Sequence, residues 1–485
     1  MLGTASRFRY LLGNGYGRRS WVTTAGWIRG HGRSVWMPLR RNSGIGLVIA
    51  LYAGLTLVLL PRLSLWLDEL IDLLGTQNST FRSIIEYAST NPGGAPIWYL
   101  TQGLATSALG FSAFSARLPA CIASVLSCCG LALLARRFGV KSPALCVAVF
   151  ALFPLQLRYA LEGRPYSEAL CLSIWATVAF LRLIERPTVV NGLWYCVPIV
   201  LGLYTQPFSG FVAAAHAMWA LGNNRLPAKS RLLTLGAVLV AAAGFVPWLA
   251  YASRNWTGGL PQGTAGILHP RVLLMVLREC LGGGYLLSGV VILLVLPGLR
   301  SETMARSTKV LPLLMVLVPI GFALLADSLS GYFVAIRQVI FILPSVALLV
   351  CFGVDYIARR ARARIAVVVI AVVLAASVAY DVRWFRRPRE DWKRAADVLS
   401  DSVRGGACAL LAPERTAQIL LFFHPSLIHH IYSEGSDFST CQRVAVVMSH
   451  YSPDWNAIVR RLTELGFLRS QVIFSGKPTV TMLSR

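Results

Sequence analysis

Up to residue 380 the chain alternates between long apolar runs and short polar loops that are mostly basic. A helix needs ~20 apolar residues to cross a bilayer, and shorter runs are tolerated inside a bundle. Suitable runs fall at 44–62, 118–135, 142–158, 166–184, 191–206, 208–222, 232–251, 285–299, 310–327, 335–354 and 365–380. The pattern predicts an all-α polytopic membrane bundle of about eleven transmembrane helices over 44–380. Segment 96–111 is short, broken by Gly and dotted with Thr, Gln and Ser. It reads as a membrane-skimming or re-entrant helix inside a first external loop at 63–117.

Beyond Tyr380 the periodicity changes. Glu390 to Val403 repeats as a helix, and "ACALLA" (407–412), "RVAVVMS" (443–449) and "SQVIFS" (470–475) read as strands, with Trp455 to Leu465 helical. Residues 381–485 are therefore expected to form a small α/β domain with a core of its own.

Composition narrows the class. Hydrophobic residues make up 55% of the 485 positions and charged ones 14%, against ~25% charged in a soluble domain. The net charge of +25 does not imply nucleic acid, because the basic residues sit in clusters between apolar runs and form no contiguous stripe. Retention of Lys and Arg on the cytoplasmic side explains them better. With 96–111 left out of the count, Arg18, Arg19, Arg40 and Arg41 share one side with the basic stretches 136–141, 182–186, 225–231, 300–309 and 359–364. The expected topology has a cytoplasmic N-terminus and an extracytoplasmic C-terminal domain. Residues 1–43 are basic, lack acids and read as a disordered cytoplasmic tail, since the following apolar run is longer than that of a cleavable signal.

Seven of the ten cysteines lie in predicted spans, where Cys acts as a small hydrophobe. Cys408 and Cys441 lie near strand ends in the external domain and are disulfide candidates if the compartment is oxidising. His424, His429 and His430 lack the i, i+4 companions of a helix-borne metal site and read as surface residues.

The polar residues are shared unevenly between the two sides. The external side collects Asp68, Glu69, Asp72, Arg117, "RYALEGRPYSE" (158–168) and Arg337. Adjacent carboxylates at headgroup depth, and a guanidinium a turn inside an apolar run, are costly unless they serve a ligand or each other. An external cavity lined by carboxylates and arginines follows, with Arg337 suited to a lipid phosphate.

These residues also carry a resemblance. "WLDE" after the first span, "APIWYL" some 25 residues later, "ARLPACIASVLSCCGLALLARRFG", "ALFPLQLRYALEGRPYSEAL", "LYTQPF", "IRQVIFILP" and "EDWKRAADVL" occur in this order. Over roughly 44–400 the series resembles the GT-C class of membrane glycosyltransferases, in the bacterial branch similar to protein O-mannosyltransferases and lipid A aminoarabinose transferases. The resemblance implies inverting transfer of a sugar, mannose among the options, from a polyprenyl-phosphate carrier to an acceptor at the outer face of a bacterial plasma membrane. It implies Asp68 as general base; Glu69, Pro96 and Tyr99 in loop support or acceptor contact; Arg337 and Arg164 on the donor phosphate; and Glu162, Tyr166 and Arg117 as cavity wall. A divalent metal ion beside Glu69 is a further expectation. Relatives commonly carry His-Pro-Pro-Leu or Lys-Pro-Pro-Leu where this chain has Gly94-Ala95-Pro96-Ile97, and an aromatic where it has Gln338. From the residues alone, a transporter or flippase of a lipid-linked substrate and a non-catalytic scaffold subunit stay open, although no inverted repeat of the transporter kind is visible.

Overall fold

The structure, a computed structural model, describes residues 43–76, 80–90, 94, 96–255, 274, 278–279, 283–300, 306–330, 336–360, 363–387, 389–412, 417–432, 436–449 and 455–485. The predicted tail, apart from Ser43, lies outside them.

Among the described residues seven helices are long and apolar enough to cross a membrane: Gly44–Arg62, Ala113–Arg137, Tyr166–Glu185, Ala228–Asn255, Lys309–Ala326, Arg337–Arg360 and Ala363–Phe385. The expected count of about eleven is not confirmed by length and composition alone. The run at 142–158 is two helices, Pro143–Ala151 and Pro154–Ala160, bent by 67°. The bend has a local cause: Pro154 cannot continue a helix, and Phe153 before it is extended, with ψ 127°. The runs at 191–206 and 285–299 form apolar helices too short for the full crossing, Val189–Thr205 and Tyr285–Arg300, and that at 208–222 gives the 13-residue Gly210–Gly222. Pro96–Leu109 has 14 residues and is also short of the ~20 required.

Helix ends follow from sequence. Ser112 and Ser115 form a reciprocal capping box that opens Ala113–Arg137, and the Thr188 hydroxyl accepts from Asn191 N–H at the start of Val189–Thr205. Gly298 and Gly353 let Tyr285–Arg300 approach the backbone of the helix at 343–360, where any Cβ would strike Leu349 or Leu294.

The C-terminal sheet has five strands, β1 (Cys408–Ala412), β2 (Ile431–Tyr432), β3 (Arg443–Met448), β4 (Arg469–Phe474) and β5 (Thr479–Ser484), in the order β2-β1-β3-β5-β4. β1 runs parallel to β2 and β3, while β5 is antiparallel to β3 and β4. β1 and β3 read as continuous apolar runs because both faces are covered. Leu410, Val444 and Val446 pack with Ile458 and Leu462 of Trp455–Glu464 on one face. Ala409, Leu411, Ala445 and Val447 pack with Trp392, Ala396 and Leu399 of Trp392–Arg404 on the other. Leu67 and Leu70, from the first external loop, belong to that second core. The residues after 381 thus do not build their core alone. Cys408 and Cys441 are joined by a disulfide.

Candidate active site

Asp68 and Glu69 occupy the first turn of the helix Leu67–Thr76, where the exposed N–H groups and the helix dipole favour carboxylates. One residue advances a helix by about 100°, so the two acids face different surroundings.

Glu69 faces inward and has no exposed side-chain surface. Its Oε1 accepts Arg117 Nε–H at 2.7 Å and Gly163 N–H at 2.6 Å; its Oε2 accepts Arg117 Nη2–H at 2.6 Å and Trp66 N–H at 3.2 Å. Arg117 spends its remaining donors on the carbonyls of Leu60, Leu63 and Ser64 at 3.0, 2.8 and 2.9 Å. Gly163 can come this close because it lacks a side chain: a Cβ there would sit 3.0 Å from Ala116 O and 3.4 Å from Glu69 Oε1. Arg117 is therefore a fully buried staple of the 60–64 turn, not the cavity wall expected from its charge.

Asp68 and Asp72, one turn apart, share the other face. Arg164 Nη1 donates to Asp72 Oδ2 at 2.7 Å and to Asp68 O at 3.3 Å, and its Nη2 lies 3.8 Å from Asp68 Oδ2. Asp72 also accepts Trp98 Nε1–H at 3.2 Å and Tyr99 O–H at 3.3 Å. Burial raises the Asp72 carboxyl to about 6, with the Arg164 guanidinium pulling the other way. Burial opposes the charge of Arg164, yet Asp72, and after it Tyr166 and Asp68, hold its pKa well above the ordinary value. The side chain of Asp68 keeps 24% of its surface exposed. Arg164 bridges two carboxylates and keeps 17% of its side-chain surface exposed.

Arg337 is different. Its guanidinium carbon lies 5.8 Å over the Tyr166 ring, it is half-buried, and among the described residues it makes no ion pair with a carboxylate. Asp68, Arg164, Tyr159 and Tyr166 all lie within its electrostatic reach. Tyr166 packs edge-on to Tyr159 at 4.8 Å. Glu162 is buried, with Arg158 Nε at 3.0 Å and Arg389 Nη2 at 3.5 Å from its Oε1. Pro96 and Tyr99 are both buried, Pro96 as the first residue of its helix; Asn91, Pro92, Gly93 and Ala95 lie outside the described residues.

The donor set does not suit a divalent metal ion. Both Glu69 oxygens are engaged by N–H groups, and Asp68 and Asp72 already share a guanidinium. Among the described residues no three His, Cys, Asp or Glu side chains converge on one point. His424 pairs with Asp397 at 2.8 Å, while His429 and His430 are exposed.

Sequence reasoning gave Asp72 no role, although its i+4 spacing from Asp68 was visible. It missed Trp98, Arg389 and the particular contacts of Glu390, which no local spacing announces.

Solved structures share this architecture. ArnT from Cupriavidus metallidurans in the apo state superposes with a TM-score of 0.55 at 13% identity, over 92% of this chain and 98% of that one. The same protein bound to undecaprenyl phosphate gives 0.55 at 13%, over 90% and 97%. The arabinofuranosyltransferase AftD from Mycobacteria gives 0.51 at 16%, over 90% of this chain and 41% of that one. What is common at such identities is the fold, and it is the fold of the GT-C class of membrane glycosyltransferases. Residues 93–251 match the family described as dolichyl-phosphate-mannose-protein mannosyltransferase. No curated protein matches by sequence.

Proposed function

We propose that this chain is an inverting glycosyltransferase of a bacterial plasma membrane that moves a sugar from a polyprenyl-phosphate carrier to an extracytoplasmic acceptor. The observation that carries the reading is the juxtaposition of a partly exposed carboxylate, Asp68, with a guanidinium, Arg337, that has no carboxylate partner among the described residues. One group takes a proton and the other meets an anion. The ArnT structure described with undecaprenyl phosphate supports that carrier class, and the matched family's description makes mannose one sugar to test.

In the reaction the acceptor hydroxyl oxygen attacks the anomeric carbon from the face opposite the phosphate. Asp68 removes the hydroxyl proton as the new bond forms. The bond from the anomeric carbon to the phosphate oxygen breaks, its electron pair leaves with the phosphate, and Arg337 stabilises the growing charge. Arg164, held by Asp72, orients Asp68. Glu69 and Arg117 hold the turn beneath and take no part in proton transfer. No metal ion enters the scheme.

The test is turnover by the full-length protein in nanodiscs with a panel of undecaprenyl-phosphate sugars as donors and a bacterial envelope extract supplying acceptor hydroxyls, reading released carrier by mass spectrometry. Release from one donor by wild type and not by Asp68→Asn is expected. Donor that binds without being consumed would point to a transporter or scaffold and end the enzymatic reading.

A further inference from the structure

Two consecutive residues at the start of the C-terminal region reach the candidate site from different sides. Arg389 approaches Glu162, beside Arg164, and its guanidinium carbon lies 4.1 Å from the centre of the Trp384 ring. Glu390 turns toward the Asp68 helix. Its Oε2 accepts Leu67 N–H at 2.7 Å and Trp392 Nε1–H at 2.8 Å, and its carbonyl oxygen accepts the Ser64 hydroxyl at 2.6 Å.

The first N–H groups of a helix have no partner within it. A side chain just before the helix ordinarily serves the second or third of them; the N–H of Leu67, the first helical residue, goes to a residue 323 positions later. Leu67 immediately precedes Asp68, so this hydrogen bond fixes the backbone that carries the carboxylate. Glu390 is anchored in turn: Trp392 is buried in the core that includes Leu67 and Leu70, and the next residue, Asp391, donates its N–H to Lys477 O at 2.7 Å.

We infer that Glu390 is a positioning residue for Asp68, clamping the start of its helix to the C-terminal region so that the carboxylate stays in register with Arg164 and Arg337. The inference rests on the reading of Asp68 as the base. Its consequence is kinetic, because misplacing a reacting group by 1 Å can cost about 10²-fold in rate without loss of binding.

Turnover and donor KM in nanodiscs, with the undecaprenyl-phosphate sugar panel as probe, separate the possibilities. Glu390→Ala is expected to lower kcat about tenfold or more with donor KM within about twofold. Glu390→Gln, which keeps an acceptor oxygen in place, should restore most of it. Asp391→Ala removes the N-cap of Trp392–Arg404, where Asp391 Oδ1 accepts Arg394 N–H at 3.0 Å, and leaves the Leu67 bond intact. It should lower the melting temperature and spare kcat. Hydrogen exchange at the amides of 67–70 should speed up in Glu390→Ala and not in Glu390→Gln. If Glu390→Ala does not fold, Glu390→Asp takes its place with the same expected split. Wild-type kcat in the Glu390 variant beside an inactive Asp68→Asn overturns the positioning role. So does an equal kcat loss in Asp391→Ala, which would mark a general effect on the fold. Full turnover in Asp68→Asn, or none from any donor by wild type, removes the base reading and this inference with it.

Discussion

Glu69, paired with Arg117 from the helix Ala113–Arg137, and Asp68 are neighbours on one helix, under opposite electrostatic conditions. Arg117 uses five N–H bonds, two to Glu69 and three to carbonyls, and neither side chain has exposed surface. Around Asp68 two carboxylates share one guanidinium, Asp68 keeps a quarter of its side chain open, and Arg337 stands nearby with an aromatic ring for a neighbour. A closed, fully satisfied ion pair gives a substrate nothing to bind. A partly open carboxylate beside a guanidinium with no carboxylate ion pair among the described residues marks a functional-site candidate. The two sets therefore divide the labour of the "WLDE" stretch, Glu69 holding the loop and Asp68 facing the chemistry.

Mutations can break that division, the largest effect first. Asp68→Asn should cut turnover by about 10²–10⁴-fold while the melting temperature stays near that of the wild type; an unchanged rate would erase the distinction between the two acids. Arg117→Ala leaves Glu69 buried without a counter-charge and should destabilise by roughly 3–5 kcal/mol, read as a fall in melting temperature or in folded yield. A double replacement of Glu69 and Arg117 by apolar residues of similar volume should be milder than Arg117→Ala. Arg337→Ala should weaken donor binding by roughly 1.5–3 kcal/mol and leave stability alone, with Arg337→Lys recovering part; equal, negligible effects would remove the phosphate role.

The smallest effect is a pH dependence. The Asp72 carboxyl sits at about 6 in the folded protein against an ordinary 3.8, so the folded chain binds its proton more tightly than the unfolded one. Its contribution to stability is fully present below about 4, declines as pH rises to about 6 and is level above that. The difference in melting temperature between wild type and Asp72→Asn, followed from pH 4 to 7, should trace that decline. A flat difference would place Asp72 in a wetter setting than the structure shows.

Much of this architecture was legible because apolar runs and turn residues act locally. The predicted spans fall on helices except 142–158, expected as one span and broken at 152–153 before Pro154; the 67° bend depends on what the second helix packs against. Cys408 and Cys441, placed near strand ends by their flanking runs, do meet. The strand β5, in "TVTMLS", escaped notice, since six residues of mixed polarity become a strand only through β3 and β4 on either side. The charges were harder to read. The resemblance implies a cavity wall for Arg117 and the donor phosphate for Arg164; a sequence carries a charge and its depth, whereas the partner is chosen by packing. Glu69 and Arg117 are 48 positions apart, and only the fold makes them a pair. Asp72 was the recoverable omission, one helical turn from Asp68 on the same face.

The Leu67–Glu390 hydrogen bond also orders events during biosynthesis. The acceptor for the Asp68 helix is made 323 residues after the helix itself, some 15 s to a minute later at ~5–20 residues per second. Through that interval the spans from Ala113–Arg137 to Ala363–Phe385 are made while the helix start lacks its clamp. The site is thus completed only after the helix Ala363–Phe385 has been made, and a product truncated before Glu390 would carry the acidic loop without the contact that sets it.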